Sequence, residues 1–168
     1  MTTPTTLSDR IFEHPIQELT YDKVADYLRS ATLFQDSLLI LPDRPRFQVS
    51  YGSAIVDIEV SNWAFHPWNA EREMAIVTAS SCVTQGSLLT PELSQYLLKE
   101  NRRMRFGGFQ LDENFNIWFA HSILGGEHMD LTELQSCILA VVTIADNYDD
   151  ALVKEFGGQR SIDINLSA

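Results

Sequence analysis

Four histidines (His14, His66, His121, His128) and two cysteines (Cys82, Cys137) are the side chains in this sequence best suited to nucleophilic, acid–base or metal chemistry. Their spacing serves none of these well. His121 and Ser122 are neighbours, but a nucleophile and its base meet through the fold, and no Gly-x-Ser-x-Gly elbow accompanies them. Glu127, His128 and Asp130 crowd the segment GGEHMD. A zinc site needs three or four convergent ligands, whereas a loop entering a helix uses such acids as caps and as partners of the helix dipole. Asp146, Asp149 and Asp150 lack the Asp-x-Asp-x-Asp-Gly loop of a calcium site and fall inside a helical pattern, where a solvated face is expected. Asp57, Glu59, Glu71 and Glu73 could pair across a hairpin, although strand alternation alone sends such acids to water. Gly107-Gly108 and Gly125-Gly126 do not have the spacing of a phosphate-binding loop. Both cysteines sit in apolar runs outside any ligand pattern, as buried free thiols do. The expectation is a protein that is not an enzyme, with no catalytic residue, cofactor or metal.

A different chemistry is written in the connection SNWAFHPWNAER. Loops are ordinarily polar, so Trp63, Phe65, His66 and Trp68 together suggest an exposed protein-binding surface, in keeping with the weight of tryptophan in interface hot spots. A loop folded back to bury both tryptophans in the domain's own core is the other reading. Both stand at this point.

Composition narrows the partners. The chain has 168 residues with a net charge of −11 and a pI near 4.6. Nucleic acid and anionic membrane surfaces need clustered Lys and Arg, so both are disfavoured. Apolar residues at 45% support one core without metals or disulfides, and at this length folding buries roughly 70% of the unfolded surface. The segment MTTPTTLSDR has no basic stretch followed by an apolar one, and no apolar run reaches the ~18 residues of a membrane span. A cytoplasmic protein is expected.

The elements that must position these groups follow from periodicity. Residues 1–19 mix Thr, Pro and charge and read as a flexible arm. Val24, Tyr27, Leu28 and Ala31 predict a helix starting near Thr20 or Asp22. Pro42 and Pro45 forbid regular helix in LPDRPRF. Phe47, Val49 and Tyr51 alternate, Gly52-Ser53 has the form of a two-residue hairpin turn, and Val56, Ile58 and Val60 alternate again with Asp57 and Glu59 facing water. A third strand over Glu73–Val83 carries MAIV and suggests burial on both faces. Thr90 as N-cap and Pro91 at the first position open a second helix with Leu93, Tyr96 and Leu97 on its stripe. Phe109 and Leu111 then pair across Asp112–Asn114 with Ile117 and Phe119. Asp130 caps a long last helix whose seam is Leu134, Ile138, Val141, Ala145, Tyr148 and Leu152, and Gly157 stops it. The tail, 159–168, has an alternation of Ile162, Ile164 and Leu166 suited to a weak edge strand. The fold class is α+β, an antiparallel sheet in the order α-β-β-β-α-β-β-α with helices on one side, forming a single domain over 20–158.

From about Gly52 to Gly158 the sequence resembles the YbjN family, whose domain shares the type III secretion chaperone fold. The residues that carry this are the strands AIVDIEV and EREMAIVTASSCV, the passage LLKENRRMRFGGFQLDENFNIWFAHSIL, and the helix DLTELQ…IADNYDDAL. One departure stands out: where the family pattern places a glycine near Phe115, this turn reads Asp112-Glu113-Asn114-Phe115-Asn116, so Asn114 or Asn116 is expected to take the left-handed conformation. The resemblance implies an acidic, homodimeric, chaperone-like or regulatory protein that binds protein segments, and it transfers no catalytic residue. On that basis Leu93, Tyr96 and Leu97, a strip with no other obvious cover, are the candidate dimer contact. A client segment would add to an exposed sheet face or edge, with the aromatic connection as anchor. The alternative is a small-molecule sensor with its ligand in the cleft between the sheet and the last helix.

Overall fold

The computed structural model describes residues 11–63 and 74–165. The elements, in order, are α1 (Pro15–Ser30), β1 (Leu39–Leu41), β2 (Arg46–Tyr51), β3 (Ala54–Trp63), β4 (Met74–Gln85), α2 (Pro91–Arg103), β5 (Gly108–Leu111), β6 (Ile117–Leu124), α3 (Leu131–Phe156), β7 (Gln159–Arg160) and α4 (Ser161–Asn165). All strand pairs are antiparallel. The sheet runs β1-β2-β3-β4-β6-β5, with β7 on the end of β4. The α+β class and the central order of elements agree with the sequence reading; β1, β7 and α4 are additions to it.

One face of the sheet is closed. Phe47, Val49, Val56, Ile58, Val60, Ala75, Val77, Ile117 and Phe119 are buried there against Leu28 and Val24 of α1 and the seam of α3. Alternation along each strand sends the intervening residues to the other face. That face is half-covered, so the burial of β4 on both sides expected from MAIV does not occur: its residues alternate between buried and half-exposed. Asp57 departs from expectation in the opposite sense. It is 8% exposed because Arg46 forms an ion pair over it and Gln48 donates to it at 3.1 Å.

Helix α1 starts at Pro15, so residues 15–19 of the expected arm are helical. Pro15 fixes a helical φ at a position whose N–H has no intrahelical role. The earlier start was invisible to hydrophobic periodicity because the first turns bury polar groups. Gln17 donates to the Val60 carbonyl at 2.8 Å, and the Thr20 hydroxyl accepts from the Gly126 amide at 2.9 Å. Helix α2 begins as expected: the Thr90 hydroxyl accepts from the Leu93 amide at 3.2 Å. Asp130 does the same for α3, accepting from the Thr132 and Glu133 amides.

Two turns deserve their glycine or its substitute. Gly52 has φ +57°, and a Cβ there would sit 2.3 Å from Asp146 Oδ1, so only glycine lets this hairpin reach α3. Ser53 completes the dock: its amide donates to Asp146 at 2.7 Å, and its hydroxyl, with one proton to share, lies 2.8 Å from Asp146 and 2.6 Å from Asp149. Asp149 is 4% exposed; this part of the acidic cluster is therefore a clasp, not a solvated face. In the β5–β6 turn the left-handed residue is Phe115 itself, φ +61°, and neither asparagine. The Asp112 carboxylate holds that conformation by accepting from the Asn114 and Asn116 amides, the Asn116 side chain and the Trp118 indole. In the tail, Gln159–Arg160 pair with β4 and residues 161–165 turn helical, instead of the alternating strand expected there.

Candidate protein-binding surfaces

His121 and Ser122 point to opposite faces of β6: the Ser122 hydroxyl meets Thr78 at 2.8 Å on the open face, while His121 faces the helices. The His121 Nδ1 has no hydrogen-bond partner among the described residues, and burial pushes the imidazole below its ordinary pKa. Cys137 lies on the buried face of α3, its thiol raised to about 11 by burial; Cys82 is half-exposed and also raised by desolvation. Among the described residues no three His, Cys, Asp or Glu side chains converge on a metal position. No helix among them is long and apolar enough to cross a membrane.

Of the aromatic set, Trp63 is the last residue of β3, half-buried opposite Met74. Phe65, His66 and Trp68 lie outside the described residues. The strip on α2 is arranged differently from the reading of an uncovered surface. Leu93 is 1% and Leu97 6% exposed, both within the chain's own core. Tyr96 is half-buried, its ring 5.4 Å from that of Phe156. The exposed apolar residue of this helix is Leu98, at 69%.

Leu98 borders a groove of about 300 Å³ between α2 and the edge of β5, with Ser94, Asn101, Gln110 and Leu111 as further walls. At its centre the Asn101 side chain behaves as a short strand. Its Nδ2 donates to the Phe109 carbonyl at 3.1 Å and its Oδ1 accepts from the Phe109 amide at 2.6 Å. The edge position is thereby saturated by one side chain. Beneath it Phe109 packs edge-on to Phe119 and Tyr148, each 5.2 Å away. The Tyr148 hydroxyl donates to Glu100 at 2.7 Å, and Arg103 donates to the same carboxylate at 2.7 Å. Burial and the Glu100 charge raise the Tyr148 phenol to about 12. These residues tie α2, α3 and β5 into one unit.

The open face of the sheet has its own shallow cavity, about 240 Å³, floored by Thr78, Ser80 and Ala120 and walled by Gln110, Leu111 and Trp118. Trp118 is fixed by its indole N–H, which donates to Asp112 at 3.0 Å. Those hydrogen bonds hold the Asp112 carboxyl down at about 2. Further along the same face Ile76 stands opposite Leu124, which is 51% exposed. By contrast, the space between the sheet and α3 is filled: Leu134, Ile138, Val141 and Leu152 are fully buried. The ligand cleft expected there is closed by side chains. A cavity of about 540 Å³ lies instead between α1 and the start of α3, beside Lys23, Tyr27, Met129 and Leu131.

Sequence reasoning missed Asn101, Glu100, Asp112 and the Ser53 clasp. Each is a polar residue whose partner comes from a distant element or an irregular turn, which periodicity does not register. The nearest available signal was Asp112 four residues before Asn116, a spacing at which an aspartate can bond back to its own turn. A family model described as T3SS (YopN, CesT) and YbjN peptide-binding chaperone 1, TY-Chap1, matches residues 46–164. No curated protein matches the chain.

Proposed function

The chain belongs to the TY-Chap1 family of T3SS and YbjN peptide-binding chaperones, and from that premise we propose that it binds segments of other proteins, without catalysis, as a cytoplasmic homodimer. The observation that carries the reading is the distribution of exposed large apolar side chains. Leu98 and Leu111 flank the β5 edge, Leu39 and Ile40 form the β1 edge, and Leu124 stands on the open face. Such side chains beside strand edges suit strand addition, in which main-chain hydrogen bonds supply affinity and flanking pockets supply selectivity.

In this reading the groove between α2 and β5 is the dimer contact. Leu98 is its exposed centre, with the buried Leu97 beneath, while Leu93 lies in the core and Tyr96 packs beside Phe156. Asn101 already takes the Phe109 position of that edge, which favours side-chain packing between two copies over strand addition. Sedimentation at micromolar concentration should give a dimer, and Leu98→Asp should give a monomer of unchanged helicity. A monomeric native protein would remove the dimer from the account.

The client segment then takes the remaining edge and the open face, with Trp63, Phe65, His66 and Trp68 as the proposed anchor. Affinity capture of interacting proteins, compared between the native chain and a Trp63→Ala/Trp68→Ala variant, tests this. Undiminished capture by the variant removes the anchor role, and absence of any captured partner argues against the binding function itself.

A further inference from the structure

The edge of β2 is already occupied, and by a weak occupant. Strand β1 contributes three residues, paired as Leu39 with Gln48, Ile40 with Phe47 and Leu41 with Arg46. Beyond it, the Ser37 hydroxyl accepts from the Ser50 amide and donates to the Ser50 carbonyl, both at 3.1 Å. Antiparallel pairing alternates, so if Ser50 turns its backbone outward, Gln48 and Arg46 do too. The outward edge of β2 therefore presents three positions: β1 lies along Arg46 and Gln48, although the Arg46 amide donates to the Arg44 carbonyl at 2.8 Å, and one serine side chain fills the third.

Leu38, just before it, packs against the core, but little else holds β1 itself in place. Leu39 is 57% and Ile40 41% exposed, so the strand buries little apolar surface. Pro42 and Pro45 bracket the turn that follows. The neighbouring anchors are secure without it. Phe34 is 1% exposed before it. After it, β2 keeps six pairs with β3 and the Arg46–Asp57 ion pair. Phe47 is covered by Tyr21, whose ring stacks on it at 4.5 Å, so its burial does not depend on Ile40 alone. The family match begins at Arg46, the first residue of β2. The edge beneath β1 is thus the outer edge of the matched region, and β1 lies upstream of it.

We propose that the edge of β2 is the docking site for an extended, uncharged, apolar segment of a client protein, and that β1 is an internal stand-in which the client displaces. This rests on the protein-binding reading and specifies it. The stand-in gives the client's chemistry: antiparallel to β2, apolar where Ile40 faces Phe47, and long enough to pair with Ser50 in place of Ser37. A client must compete with β1, so its apparent affinity is reduced by the fraction of molecules in which β1 is detached.

The probe is a fluorescein-labelled peptide of residues 37–42, SLLILP, added to the full chain. Three proteins are compared by anisotropy: native, Leu39→Pro, and Leu39→Cys/Gln48→Cys with the pair oxidised. Proline removes the Leu39 donor to β2 and releases the stand-in. A disulfide across a directly opposed hydrogen-bonded pair, Cα separation about 5.5 Å, locks it. With β1 detached in about a tenth of native molecules, the proline variant binds about tenfold tighter than native. The oxidised protein does not bind, and reduction restores native affinity. Should the proline variant fail to fold by circular dichroism, the oxidised-versus-reduced comparison in one protein decides alone. Equal affinity in oxidised and reduced forms overturns displacement while leaving strand addition elsewhere intact. No binding to any form, reduced or released, overturns the site itself, whereas the wider binding function stands or falls on the capture experiment.

Discussion

The two edges of this sheet are protected by opposite means. At β5 a single side chain, Asn101, takes both backbone groups of Phe109 from a helix that is itself tied to α3 through Glu100 and Tyr148. At β2 the protection is a three-residue strand with most of Leu39 in water and a serine hydroxyl beyond it. A side chain on a helix tied to its neighbours closes the Phe109 position of its edge firmly. A strand that buries little closes it only until something pairs better. Edge protection is usually discussed as a defence against aggregation; here the contrast assigns different uses to the two ends of one sheet.

Substitutions can break or sharpen that contrast. The largest effect is expected at the β5 end. Asn101→Ala leaves the Phe109 amide and carbonyl without their partner, and each such group costs about 1–3 kcal/mol. Thermal denaturation should show a loss of roughly 2–4 kcal/mol, with the melting temperature lowered by several degrees. A loss under 0.5 kcal/mol would make the two edges alike. Next comes Tyr148→Phe, which removes one of the two bonds to Glu100, a carboxylate only 9% exposed; about 1–2 kcal/mol is expected. Because the phenol is raised to about 12 in the fold, against about 10 unfolded, its contribution is complete below pH 10. It fades as pH rises towards 12, so the gap between native and variant should narrow over that window.

The Asp112 turn should respond to acid with the reverse sign. Its carboxyl is depressed to about 2 from an ordinary value near 3.9, so its contribution is present above pH 4 and disappears as pH falls to 2. The Trp118 indole N–H resonance should shift over that range, and Asp112→Asn should abolish the shift while Phe115 loses its left-handed support. A titration centred near 4 would mean that the cage is not formed. Smallest of all is Leu39→Ala on β1. With 57% of the residue already in solvent, chemical denaturation should detect less than about 0.5 kcal/mol.

The same contrast explains what the sequence revealed. The buried face was legible because Phe47, Val49, Val56, Ile58, Val60 and the α3 seam repeat at strand and helix periods, and because Thr90-Pro91 and Asp130 mark their helix starts chemically. The β5 edge was legible as a strand but not as a closed one, since a helical Asn101 looks like any other polar surface residue. Strand β1 was hidden for a different reason: three apolar residues between a loop and Pro42 carry no alternation to read. Leu93 and Leu97 were correctly placed on the apolar stripe of α2, but periodicity cannot say whether a stripe meets its own core or a second copy. Here it meets the core, and the exposed position is Leu98. For Phe115 the error came from assuming that a left-handed residue must be chemically suited to the conformation. Four hydrogen bonds to Asp112 from its neighbours impose it instead.

The most direct test is site-resolved amide exchange on the native chain, with and without saturating SLLILP peptide, read at Leu39 and Gln48. Displacement predicts that Leu39 loses protection when the peptide binds while Gln48 keeps it, because one strand has replaced another on the same edge. Unchanged protection at Leu39 in the peptide-bound protein would contradict the account.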